Sequence, residues 1–155
     1  MSLTPESIQR YQRQLLLAPI GGVGQERLFS ASLLLHGDAP LAATYMAAAG
    51  LGTLLVTGAE PAIATHDPAF RMRCVAIDAA ADLVLDLGDG SAYAAATGNR
   101  LWGAVAEGQL LLGCEPRASG AARPQDRALL EVLAAGEALW RLLGRDPHSY
   151  AFRCD

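Results

Sequence analysis

The chain of 155 residues is long enough for one domain with a substantial core. Hydrophobic residues make up 52% and charged residues 18%, which excludes an intrinsically disordered chain. The net charge is -4, all 12 basic residues are Arg and no basic run occurs, so we expect no nucleic-acid binding. The apolar runs are too short for a membrane span, and the polar start predicts no secretory signal.

Residues 1–30 predict a helical arm. Apolar side chains recur at helical spacing in residues 4–17, Thr4 can cap the helix, and Pro5 suits its first position. Proline and glycine at 19–22 break this helix, and residues 24–30 predict a short second one.

Residues 31–155 predict the core of the same single domain. Apolar runs at 33–36 and 53–57 indicate buried strands, and the Ala-rich segment 40–50 between them indicates a helix. A strand, a helix and a strand in succession are typical of a parallel crossover. The remaining predicted elements are a loop at 58–68, strands at 73–77, 81–87, 102–106, 109–113 and 149–153, and helices at 91–97 and 124–143. The sequence therefore predicts an α/β fold with a mostly parallel sheet flanked by helices.

The cysteines predict neither a disulfide framework nor a zinc knuckle, because their number is odd and they form no C-x-x-C pair. They are Cys74, Cys114 and Cys154. We therefore expect a cytoplasmic protein with reduced thiols. Cys74 stands in an apolar run and is expected in the core, whereas the other two lie near loops or the tail.

Several motifs point to one family. The stretch RYQRQL at 10–15 is followed by IGGVGQERL at 20–28 and by AAAGLGTL at 47–54. These segments resemble the N-terminal landmarks of the ThiF/MoeB/HesA family, the bacterial relatives of ubiquitin-activating enzymes. Further along, DLVLD at 82–86 with Asp89 resembles the strand that leads to the family's catalytic Asp, and EGQ at 107–109 resembles a later turn.

The resemblance implies a Rossmann-like sheet that binds ATP. Members of the family adenylate a C-terminal carboxylate, usually of a ubiquitin-like sulfur carrier, release pyrophosphate and usually work as dimers. Displacement at the α-phosphate requires a Gly-rich loop around the phosphates, Mg²⁺ held by an Asp, nearby cations and an acid that binds the ribose.

The expected phosphate loop departs from the family pattern G-x-G-G-x-G. The stretch HGDAPLA at 36–42 retains only Gly37, and Pro40 has no N–H to offer a phosphate. Asp38 places a carboxylate where the ligand's anion would lie, and the two charges would repel. We predict that Asp38 caps the next helix and Pro40 begins it, which does not suit ordinary ATP binding. An uncharged or cationic ligand facing Asp38 is a further alternative.

The expected ribose and cation positions are also altered. Gly58 stands at or near the position where the family carries an Asp after the second strand, and Glu60 could substitute only by a shift of two residues. The segment from Glu60 to Asp82 is shorter than in the family. It contains no Lys, which leaves Arg71 and Arg73 as the available cations. We expect the degraded nucleotide site to comprise Gly37, Asp38 and Gly58.

Two residues match catalytic positions of the family. Asp89 lies at the carboxyl end of a predicted strand, where it could hold Mg²⁺, but an Asp-Gly turn explains it equally well. Arg13 resembles the Arg that reaches the ATP of a partner subunit, or it is a solvated Arg on a helix face. The family's zinc motif is absent. The three histidines are His36, His66 and His148, and no cluster of acids at metal-ligand spacing surrounds them in the sequence. No metal site is therefore predicted.

These observations favour a degenerate family member that keeps the scaffold but does not adenylate and uses no cofactor. It would act as a homodimer, or as a pseudo-subunit bound to a complete relative, with a ubiquitin-like carrier or a peptide as a further partner. The alternative is a minimal adenylyltransferase that uses ATP and Mg²⁺, with Asp89 holding the metal and Arg13 acting in trans.

Overall fold

A computed structural model describes residues 3–65, 67–106, 109–113, 123–146 and 150–153. The helices are α1 (Pro5–Leu15), α2 (Gly21–Ser30), α3 (Pro40–Ala48), α4 (Ser91–Ala95) and α5 (Pro124–Leu142). The strands are β1 (Ser32–His36), β2 (Thr53–Val56), β3 (Arg71–Cys74), β4 (Leu83–Asp86), β5 (Arg100–Ala106), β6 (Gln109–Gly113) and β7 (Tyr150–Arg153). Within these residues, no helix combines the length and the hydrophobicity that crossing a membrane requires.

The seven strands form one sheet in the order β3-β2-β1-β4-β5-β6-β7. Strands β3, β2, β1, β4 and β5 are parallel, and β6 and β7 extend the sheet in antiparallel pairs. The chain leaves β1 toward β2 and β3, then returns to β4 on the other side of β1. This reversal creates a switch point between β1 and β4, where doubly wound sheets bind ligands. The predicted Rossmann-like α/β fold is confirmed.

The central strands are buried on both faces, which explains their continuous apolar sequences. Leu33, Leu34 and Leu35 of β1 are almost fully inaccessible. Leu33 and Leu35 pack in the main core with α3 and α5, whereas Leu34 faces Ala92 of α4 on the opposite side of the sheet. The sheet is therefore covered by helices on both sides at the point where β1 and β4 meet.

The helical arm docks at the edge where the parallel strands begin. Thr4 caps α1 as predicted, because Ser7 N–H donates to its hydroxyl at 3.2 Å. Tyr11 is 3% exposed, and its hydroxyl donates to Asp67 in the segment before β3. Gln25 of α2 donates to the carbonyl of Ala49, at the end of α3. The second helix begins at residue 21, three residues before its predicted start at 24.

The prediction that Cys74 lies in the core is wrong. Its strand occupies Arg71–Cys74 instead of 73–77, and it forms the outer edge of the sheet. Cys74 is exposed there because no further strand or helix covers that edge among the described residues, and its thiol donates to the carbonyl of Gly58. Four other predicted positions lie outside the described residues: Cys114, Cys154, His66 and His148.

Candidate functional site

The loops that follow β1, β2 and β4 meet at the carboxyl edge of the parallel sheet. They bring His36, Thr57 and Asp89 into one hydrogen-bonded group. The register explains the meeting, because His36 pairs with Asp86 at the ends of β1 and β4. This edge corresponds to the switch point of the fold, and it is where the resemblance places the nucleotide.

The amino end of α3 is occupied by a carboxylate of the protein itself. Glu131 of α5 accepts hydrogen bonds from Leu41 N–H at 2.8 Å and from Ala42 N–H at 3.2 Å. Glu131 is 4% exposed, and Arg127, one turn earlier on α5, lies 3.7 Å from its other oxygen. A helix N-terminus presents free N–H groups and partial positive charge to anions. At α3, the Glu131 carboxylate already accepts hydrogen bonds from two of these N–H groups.

The prediction that Asp38 caps α3 is therefore wrong. Ala39 is the N-cap residue, and no side chain of the cap accepts a bond there. Asp38 is exposed, and its backbone carbonyl accepts a hydrogen bond from Arg127 at 2.9 Å. The predicted role of Pro40 as the first residue of the helix is confirmed. Glu131 lies 90 residues away from Leu41 in sequence, so the local pattern gave no sign of it.

Gly37 lies where the loops after β1 and β4 touch. Its φ of 103° is in the left-handed region, which favours glycine. A Cβ there would lie 2.8 Å from the backbone nitrogen of Gly88. Leu87 N–H also donates to the carbonyl of His36 at 2.9 Å. The two loops are thus in direct contact, and little space remains between them for a phosphate chain.

A shallow cleft of about 190 Å³ lies between the ends of β1 and β2. Gly58 follows β2 with a φ of 90° and has open space where a side chain would be, and Glu60 is exposed two residues later. Gly37, Asp38, Thr57 and Glu60 line the cleft. Sites that enclose a drug-sized ligand usually measure roughly 300–1,000 Å³, so this cleft suits a smaller group.

The turn after β4 is organised by a buried carboxylate. Asp86 is inaccessible to solvent and accepts hydrogen bonds from the N–H groups of Gly88, Gly90 and Tyr93 at 2.9, 3.3 and 2.9 Å. These bonds shape the turn and satisfy the start of α4. Asp86 is therefore a structural residue.

Asp89 stands at the tip of the same turn and remains accessible, with 76% of its side chain exposed. Its carboxylate accepts a bond from Ser91 N–H at 2.9 Å, which makes an Asx turn, and another from the Ser91 hydroxyl. Hydrogen bonds from Ser91, with a smaller contribution from His36, lower the pKa of Asp89 to about 2. Asp89 is thus an exposed, ionised carboxylate held in one orientation.

The prediction that no acidic cluster surrounds His36 is wrong. Its Nε2 lies 3.1 Å from Oδ1 of Asp89, and its Nδ1 lies 2.6 Å from the hydroxyl of Thr57. His36, Asp86 and Asp89 offer ligand atoms that all lie within 4.8 Å of one another. The histidine and the aspartates are 50 or more residues apart in sequence, and only the pairing of β1 with β4 brings them together. The one signal for this cluster in the sequence was that two predicted strands of the sheet each end in polar residues.

The expected cations do not converge on this group. Arg13 is exposed in the last turn of α1, and α1 docks at the opposite edge of the sheet from Asp89, so it cannot reach Asp89 of its own chain. Arg71 donates to the carbonyls of Pro68 and Phe70, at the start of β3. Arg127, which the sequence analysis did not select, is the cation beside the loop after β1.

Comparison with known proteins gives a partial sequence match. HesA of heterocysts from Trichormus variabilis is 42% identical over 59 residues, which is 36% of this chain and 22% of HesA. The vegetative HesA of the same organism is 44% identical over 64 residues, which is 39% of this chain and 24% of that protein. The resemblance to the ThiF/MoeB/HesA family is confirmed. Each match spans only about a quarter of the relative's length, and no family model matches the chain.

Solved structures share the fold of this chain at low identity. PaaA matches with a TM-score of 0.69 and 11% identity, covering 98% of this chain and 75% of PaaA. Escherichia coli MccB with MccA-N7isoASN matches with a TM-score of 0.63 and 10% identity, covering 94% and 72%. E. coli MccB with ATP gives a TM-score of 0.58 at 9% identity, covering 84% and 65%. These likenesses extend over nearly the whole sheet and concern the fold.

Proposed function

We propose that this chain is a degenerate ThiF/MoeB/HesA-like protein that does not adenylate and acts by binding a partner. The observation that carries the proposal is the Glu131 carboxylate at the amino end of α3. A nucleotide phosphate at that position would have to displace a buried acid from the two N–H groups that bind it. Separating Glu131 from its donors costs several kcal/mol.

Four further features support the loss of nucleotide binding. Pro40 removes one N–H from the first turn of α3. The contact between Gly37 and Gly88 closes the loops over the switch point. The nearby cleft of about 190 Å³ lies below the usual range for a bound nucleotide-sized molecule. No Lys is available anywhere in the chain to neutralise a triphosphate.

An exposed apolar surface supports a role in partner binding. Leu16 and Val23, at the junction of α1 and α2, are 86% and 71% exposed, and Leu17 between them is 53% exposed. Exposed apolar side chains that are close in sequence are candidates for a protein–protein contact. The partner we favour is a second copy of this chain or a complete member of the family. A carrier protein or a peptide is a further candidate, since MccB structures have been solved with MccA.

The experiment that tests the proposal combines catalysis with assembly. An ATP–pyrophosphate exchange assay with candidate carboxylates, such as a carrier ending in Gly-Gly, should show no exchange above background. Light scattering should give the mass of a dimer, or of a complex when a complete relative is added. Leu16→Asp should reduce that assembly, whereas the same change at Leu129, a half-exposed leucine on α5, should not. Exchange that depends on ATP and Mg²⁺ would contradict the proposal.

The alternative function is a minimal ATP-dependent adenylyltransferase. It is favoured by Asp89, an ionised carboxylate oriented at the carboxyl end of β4, where it could hold Mg²⁺. Arg13 would have to act on the site of a partner subunit, because it lies at the far edge of its own sheet. If exchange is found, Asp89→Asn should abolish it. Mixing Arg13→Ala with Asp89→Asn chains should then restore part of the activity.

A further inference from the structure

We propose that His36 and Asp89 form a binding site for a divalent transition metal ion of the Zn²⁺ class. The site lies at the switch point and is independent of the proposed loss of ATP binding. It also differs from a Mg²⁺ site, which uses oxygen ligands alone, because one of its ligands is an imidazole nitrogen.

The separation of the two ligand atoms suits one metal ion. Nε2 of His36 lies 3.1 Å from Oδ1 of Asp89. Two ligands at Zn–N and Zn–O distances of about 2.0–2.2 Å, arranged near the tetrahedral angle, are roughly 3.3–3.6 Å apart. The Ser91 hydroxyl oxygen lies 3.3 Å from the same nitrogen and is placed to bond a metal-bound water. Little movement is therefore needed to insert the ion.

The imidazole is held in place by contacts on its other side. Nδ1 lies 2.6 Å from the Thr57 hydroxyl, an outer partner of the kind that orients metal-binding histidines. Gly88 makes room for the ring, since a Cβ at that position would lie 2.6 Å from Cδ2 of His36. The ring is thus seated with Nε2 directed at the carboxylate.

Asp86 adds negative charge without serving as a direct ligand. Its oxygens accept three backbone N–H groups, and one of them lies within 4.8 Å of the ligand atoms of His36 and Asp89. The protein therefore supplies one nitrogen and one carboxylate oxygen, and water completes the coordination. Such a site favours borderline ions such as Zn²⁺, Co²⁺ and Ni²⁺ over Mg²⁺ and binds them less tightly than a four-ligand structural site.

The test is calorimetric titration of the full chain with ZnCl₂, in a background where all three cysteines are replaced by Ser. We expect one saturable site. His36→Ala and Asp89→Asn should each weaken binding at least tenfold, and Thr57→Val about tenfold. Asp146→Asn, at an exposed acid beyond the end of α5, is the control and should leave the affinity unchanged. No saturable binding, equal competition by Mg²⁺, or unchanged affinity in the Asp89→Asn variant would overturn the proposal.

A spectroscopic measurement on the protein that retains His36 and Asp89 covers the case in which His36→Ala fails to fold. Zn²⁺ should shift the ¹⁵N resonance of Nε2 of His36 to the position of a metal-bound nitrogen and leave Nδ1 protonated. An unchanged His36 ring at saturating Zn²⁺ would refute the assignment. Loss of Zn²⁺ binding would leave the conclusion about ATP untouched, because that conclusion rests on Glu131.

Discussion

The two edges of the parallel sheet differ in how far their residues match the family pattern that the sequence resembles. At the amino edge, the residues of the family-like motifs are the ones that dock the arm: Tyr11 bonds Asp67, and Gln25 bonds the end of α3. At the carboxyl edge, Glu131 lies at the amino end of α3, where the resemblance implies a phosphate, and Gly58 stands where it implies an acid. The motifs that carry the resemblance therefore hold the helical arm against the sheet. The chemical activity depends on the residues at the carboxyl edge, and sharing a fold does not determine that activity.

Gly52→Ala should break the amino edge most severely. A Cβ at this position would lie 2.0 Å from the carbonyl oxygen of Phe29, a backbone atom that cannot move aside cheaply. We expect a loss of at least about 3 kcal/mol in the free energy of unfolding. Urea denaturation measures it, with Gly98→Ala, which meets open space, as the control. Similar stability of the two variants would show that the arm does not need this close contact.

Glu131→Ala probes the carboxyl edge and should cost about 3 kcal/mol. The substitution leaves Leu41 and Ala42 without their acceptor and Arg127 without its partner. Glu131→Gln keeps an acceptor oxygen and should lose roughly half as much. Comparing the urea midpoints of the two variants separates the contribution of the charge to stability from that of the hydrogen bonds. If Glu131→Ala were as stable as the wild type, the N–H groups of α3 would not depend on this carboxylate.

Tyr11→Phe should have a smaller effect on the arm, about 2 kcal/mol, because it removes one hydrogen bond to a buried carboxylate that Arg10 and Ala69 also contact. Burial, followed by the bond to Asp67, raises the pKa of Tyr11. The folded state thus holds this proton more tightly than the unfolded state, so stability should fall as pH rises above about 10. Denaturation at a series of alkaline pH values should show this decline, and it should be weaker in Tyr11→Phe. An identical decline in both proteins would refute the assignment.

The sequence was sufficient to predict elements whose signals are local. Thr4 and Pro5 marked the start of α1, and the alternation of apolar runs with an Ala-rich helix predicted β1, α3 and β2. The strands predicted at 102–106 and 109–113 were also found, as β5 and β6.

The errors concern interactions between distant residues. Asp38 was the nearest acid to α3, but packing of α5 places Glu131 there instead. The acids that surround His36 are distant in sequence, and strand register sets His36 beside Asp86. Cys74 resembled a core residue because its run is apolar, whereas the order of the strands leaves it on an edge. Register, strand order and helix packing are tertiary properties that a local pattern does not contain.

Direct binding of ATP with Mg²⁺ to the full chain, measured by calorimetry, tests the central claim. The internal carboxylate at α3 predicts no saturable heat for the wild-type protein even at millimolar nucleotide. The same titration of Glu131→Gln, in which the charge is removed and the helix retained, shows whether the acid alone excludes the ligand. Saturable micromolar binding of ATP by the wild type would contradict the account.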